Sequence, residues 1–134
     1  MTAVLTDDVT LRRLAVSNAA GRIAIGVVFL VAPRAVGARW FGTVGGERAA
    51  GVLTRMVAAR DLVLGVGMLR ALTRREPVRP WFALAVAVES VDGLAAFSAR
   101  RHLPKWTAAA TVAAAGLGAL SDAHLAVHLD RRSS

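Results

Sequence analysis

The sequence predicts an all-α protein: a single domain of 134 residues built as an up-down bundle of four transmembrane helices. Three observations carry that prediction. Four apolar runs, at about 14–32, 49–72, 81–99 and 106–129, are each long enough, at 1.5 Å rise per residue, to cross a hydrocarbon core ~30 Å thick. Polar connections rich in Gly, Pro or Arg separate them. Trp40, Trp81 and Trp106 stand at the edges of the runs, where an indole sits at headgroup level with its N–H wet.

Composition agrees. Hydrophobic residues make up 55% of the chain, and its mean hydropathy is positive. Most of that apolar content is Ala, Val, Leu and Gly, small enough in part for helices to approach closely in lipid. The net charge of +8 would suggest a nucleic-acid partner for a soluble chain. Here the basic residues flank apolar runs as topology determinants, and no basic face carries interleaved aromatics, so nucleic acid is set aside. With no cysteine, disulfides, thiolate metal sites and Cys nucleophiles are excluded. Lys105 is the single lysine among 17 basic residues, which looks like high-GC coding bias.

Taken in order, residues 1–13 begin polar and read as a short interfacial helix capped by Asp7 or Asp8. The first run, 14–32, is interrupted by Arg22 and ends at Pro33. Arg12, Arg13 and Arg22 followed by Ile23–Ala32 also admit a signal-peptide reading, disfavoured by the three further apolar runs. Residues 33–48 are expected to be a loop, given Pro33 and four glycines; Gly45-Gly46 is a turn, not a phosphate cradle. The second run, 49–72, holds Arg60-Asp61. A basic connection with Pro77 and Pro80 leads to the third run, 81–99, with Glu89 and Asp92. The fourth run, 106–129, is uncharged until Asp122, His124 and His128. Arg12, Arg13, Arg70, Arg74, Arg75, Arg79, Arg131 and Arg132 outnumber the six basic residues of the opposite side, so both termini are expected in the cytoplasm.

The middles of the first three runs place Arg22, Arg60, Asp61 and Glu89 at nearly one depth, with Asp92 one turn from Glu89 on the same face. Charges there are tolerable in lipid when they neutralise one another. Two cations and three anions balance if one carboxyl is protonated or Arg55 bends inwards, and Glu89 and Asp92 are expected to share a proton. Asn18 shares Arg22's helix face, and Asp122 either caps its helix or joins the layer. Two readings stay open: a network that only fixes helix register, and a ligand-binding or proton-handling site.

His124 and His128, at i and i+4 on a face with Ser121, have metal-capable spacing but no third ligand in reach, so no metal is assigned. Ser121, His124 and Asp122 do not form a triad, since neighbours on one helix do not converge and no nucleophile elbow surrounds the serine.

Arg22-x3-Gly26 with Pro33, Arg39-Trp40-Phe41-Gly42, Ala59-Arg60-Asp61-Leu62-Val63-Leu64-Gly65 and an acidic pair three apart together resemble a family of small four-helix membrane proteins of high-GC bacteria that carries no assigned activity. The resemblance spans roughly residues 18–100; it implies Asp at both acidic positions, from which Glu89 departs. More loosely the architecture is similar to DoxX-like membrane proteins, some of which accompany quinone or thiol redox systems. The expectation is therefore a multi-pass protein of the bacterial inner membrane, partnered by the bilayer and by a second copy or a larger membrane complex. No catalytic residue and no cofactor are assigned. Its function is a non-enzymatic module with a midplane Arg/Asp/Glu network, or alternatively a small-molecule or proton-handling carrier, or an accessory subunit of a membrane redox complex.

Overall fold

Five α-helices and one 3-10 turn make up the described residues, 8–130, of the computed structural model. In order they are α1 (Asp8–Val31), α2 (Pro33–Phe41), the turn Thr43–Gly46, α3 (Arg48–Arg74), α4 (Arg79–Ser98) and α5 (Lys105–Asp130). Three of them, α1, α4 and α5 as far as Leu129, are long and apolar enough to cross a membrane, which points to a membrane protein.

The sequence reading needs two corrections, and the four expected spans are matched by three helices of sufficient length and hydropathy. The separate interfacial helix is absent from the described residues: α1 runs unbroken from Asp8, while Asp7 lies outside them. Residues 33–41 form a helix rather than a loop, because Pro33 sits in the first turn, where its missing N–H costs nothing. Gly42, at φ +74°, then ends it. The second run, α3, is not among the helices apolar enough to span, since Arg55, Arg60, Asp61 and Arg70 break it. It instead buries more of its residues than any other helix. At its end Arg75 adopts the left-handed conformation, φ +56°, and donates its N–H to Ala71 O before Pro77.

Two hairpin-like pairs compose the bundle. α1 packs along α3, α4 packs along α5, and the pairs meet more sparsely. The α1–α3 seam is close because it is lined by small residues. A Cβ on Gly65 would come within 2.8 Å of Ala19 O, and one on Gly26 within 2.9 Å of Ala58 O. The buried face of α1, Leu11, Ala15, Ala19, Arg22 and Gly26, repeats every three or four residues as a helical stripe must.

Polarity is arranged opposite to that of a water-soluble bundle. Leu94, Leu117 and Leu120 are 69%, 70% and 71% exposed, while Arg22, Asp61 and Asp122 are buried. A surface of large apolar side chains around buried charges fits lipid as the solvent. The apolar core lies towards the end where α1 starts: Leu11, Leu64, Met68, Leu72, Phe82 and Leu125 fill it.

Candidate functional site

Above that core the four long helices turn charged side chains towards one another. Arg22 is the hub. Its position on the buried stripe of α1 sends the guanidinium between the two hairpins, and its planar fork of donors suits several acceptors at once. Nη2 pairs with Glu89 Oε1 of α4 and, at 2.6 Å, with Asp122 Oδ2 of α5. Nη1 meets Asp61 Oδ1 of α3 at 3.4 Å, and Nε donates to Asn18 Oδ1 at 3.2 Å. Asn18 in turn donates Nδ2–H to Asp122 Oδ1 at 2.8 Å, so both Asp122 oxygens are engaged.

A second, wetter pair lies beside this hub. Arg60 Nη1 donates to Asp92 Oδ1 at 2.8 Å, and its Nη2 is 3.5 Å from Asp61 Oδ1. The Arg60 and Asp92 side chains are 29% and 37% exposed, against 10% for Arg22 and 0% for Asp122. Asp61 therefore bridges a buried and a part-exposed cation.

These groups line a cleft of about 350 Å³ rather than a packed interior. Arg22, Arg60, Asp61, Glu89 and Asp92 form its charged wall, with Asn18, Trp40 and Thr111 opposite or alongside. The short helix α2 is held to this end by two bonds to α5: Trp40 Nε1 donates to Thr111 Oγ1 at 3.0 Å, and Thr107 Oγ1 donates to Trp40 O. Gly118 leaves the room that Glu89 occupies, since a Cβ there would lie 2.5 Å from both carboxylate oxygens. Two atoms facing this region have no hydrogen-bond partner among the described residues, Arg60 Nε and Glu89 Oε2.

The structure thus brings Arg22, Arg60, Asp61, Glu89 and Asp92 together with Asn18 and Asp122. Asp122 joins the layer as its most deeply buried carboxyl, behind Arg22 and away from the cleft wall. The signal available for it was its being the lone carboxyl inside the 106–129 run. Arg55 stays exposed and does not bend inwards. Glu89 and Asp92 share no hydrogen bond among the described residues: each is drawn to a guanidinium on a different helix, which corrects the shared-proton expectation. His124 and His128 stand apart from the cleft, their rings stacked with centroids 4.2 Å apart and His128 Nδ1 2.9 Å from His124 O. Among the described residues no three His, Cys, Asp or Glu side chains are grouped to hold a metal.

Two guanidinium groups here meet four carboxyl groups, Asp61, Glu89, Asp92 and Asp122. With every group ionised the layer carries two uncompensated negative charges. Carboxyl groups in excess of guanidinium groups at such a depth make the cleft wall a candidate binding site. No protein family, curated protein or solved structure matches this chain.

Proposed function

We propose that the protein is a four-helix integral membrane protein of the bacterial inner membrane, both termini cytoplasmic, whose charged cleft binds a small cationic molecule without transforming it. One observation carries the reading: the ionic layer borders a cleft instead of a sealed interior, and carboxyl groups outnumber guanidinium groups there. A network serving only to fix helix register is better enclosed and fully paired, because every half-satisfied buried charge is costly. Trp40 on the cleft wall adds an aromatic surface, the usual companion of carboxylates where organic cations are bound.

In the four-helix arrangement α3 crosses with the other three. Arg60 and Asp61 face the polar layer, Arg48, Arg70 and Arg74 lie near its ends, and exposed Arg55, two turns in, reaches the headgroups along its own stem. The test uses purified protein in detergent and a panel of small ions: ethylammonium, tetramethylammonium, acetate and taurine. A ligand of the folded state raises its melting temperature by mass action. At least one cation should stabilise the wild type and not Glu89→Gln, while acetate does neither. Equal shifts in both proteins, or none with any cation, would reject the assignment. Orientation is tested separately: the chain has no cysteine, so Ser134→Cys and His102→Cys labelled by an impermeant maleimide in spheroplasts report opposite sides. The expected result is labelling at 102 alone.

A further inference from the structure

A second cleft, also about 350 Å³, lies outside the bundle where α4 turns into α5. We infer that it is a binding site for an anionic phospholipid, whose phosphate sits between Arg100 and Lys105 and whose acyl chain lies over Phe97, Ala108, Ala109 and Val112.

The lining is divided in the way such a molecule is. Arg100 and Lys105 supply the cationic rim, and the rest of the lining is apolar. Phe97 and Val112 are exposed, so the apolar part continues onto the lipid-facing surface of α4 and α5. Two alanines on α5 keep the relief low enough for a groove. Arg100 is held rather than trailing free: its guanidinium lies 4.0 Å from the centre of the Phe97 ring, and Nη1 donates to Phe97 O at 2.7 Å. Arg100, Arg101 and Lys105 make no ion pair among the described residues, so no described carboxyl group compensates the positive charge of this turn. The nearby aromatic pair marks the depth. Trp40 and Trp106 meet edge to face at 5.3 Å with Arg39 5.0 Å from the Trp106 ring, an arrangement suited to headgroup level. Uncompensated cations at that level attract anionic lipid, and an apolar groove leading from them distinguishes a lipid from a free phosphate.

The inference rests on the membrane placement proposed above and is independent of what the inner cleft binds. Native mass spectrometry of the full chain, released from nanodiscs of equal phosphatidylglycerol and phosphatidylcholine with matched chains, reads it directly. The wild type should retain phosphatidylglycerol in roughly tenfold preference. Arg100→Gln with Lys105→Gln should bring the preference close to parity, whereas Arg74→Gln with Arg75→Gln, at the opposite end, should leave it intact. Ala109→Trp keeps both charges but fills the groove and should also lose the bound lipid, which covers the case of a double variant that fails to fold. Glycerol phosphate should not displace the lipid. Equal retention of both lipids by the wild type, equal losses in the two double variants, or ready displacement by glycerol phosphate would overturn the site. A chain that does not enter nanodiscs overturns the membrane placement itself, a distinguishable result.

Discussion

The two ends of this bundle are built from the same four long helices by opposite means. Towards the start of α1, Leu11, Leu64, Met68, Phe82 and Leu125 close the space with apolar side chains, each no more than 2% exposed. Towards α2 the helices are separated by a cleft and held by guanidinium and carboxyl groups. Packing of the first kind stabilises without a desolvation cost. Charges of the second kind, taken out of water, roughly break even against apolar residues of like size. The closed end therefore stabilises by packing alone, whereas the charges of the open end stabilise only while they stay paired.

The comparison is tested most severely at Arg22. Replacing it with Leu leaves Asp61, Glu89 and Asp122 facing one another without their shared cation, and removing one partner of a buried ionic group costs ~3–5 kcal/mol. A large drop in melting temperature, followed by far-UV circular dichroism in detergent, is expected. Adding Asp61→Asn, Glu89→Gln and Asp122→Asn to Arg22→Leu should recover part of it, because the unpaired charges then go as well. Wild-type melting of Arg22→Leu would mean that the layer is solvated, and the contrast between the ends would collapse.

Phe82→Ala probes the other end. Phe82 is fully buried, and emptying such a site costs about 3 kcal/mol through lost packing and the cavity left behind. Stability should fall while cation binding in the cleft, measured below the new melting temperature, stays at its wild-type affinity. Loss of binding in step with stability would show that the ends are not separable.

A smaller effect is expected at Gly118→Ala. The added methyl group would meet the Glu89 carboxylate, the free end of a flexible side chain, so Glu89 shifts at a cost of ~1 kcal/mol, the low end of overpacking. Its pairing with Arg22 should weaken, and cation affinity should change by more than stability does. An unaltered affinity would remove Glu89 from the binding wall.

The contrast also explains what could be read from the chain alone. All-helical structure and the limits of the four long helices were legible within a few residues at most boundaries, because apolar runs and Pro- or Arg-rich breaks act locally. The principal exception is α1, which begins six residues ahead of its apolar run. The helix at 33–41 was not legible: its glycines and proline argue for a loop, and the bonds from Thr107 and to Thr111 that hold it come from residues some seventy positions away. Arg22, Asp61 and Glu89 announced themselves as charges in apolar surroundings. Which carboxyl met which guanidinium did not, since pairing depends on helix rotation. Sequence spacing thus puts Arg22 and Glu89 in one layer without singling them out as partners, and leaves Asp122 between capping its helix and joining that layer.

The mildest and most discriminating variant is Asp92→Asn. Its carboxylate pairs with Arg60 at 2.8 Å, but both side chains are partly exposed, and pairs of that kind contribute at most ~1 kcal/mol. Melting should therefore barely move. Asp92 nevertheless forms part of the cleft wall, and its charge is part of the carboxyl excess that favours a cation there. Neutralising it should weaken cation binding roughly tenfold, the scale expected when one of a few close charges is lost. Stability and binding would then have been separated by a single proton's worth of charge on one side chain. Were Asp92→Asn to bind the cation as tightly as wild type, attraction would have to come from the more buried carboxyl groups, Asp61, Glu89 and Asp122, and the outer wall would be no more than the rim of a structural network.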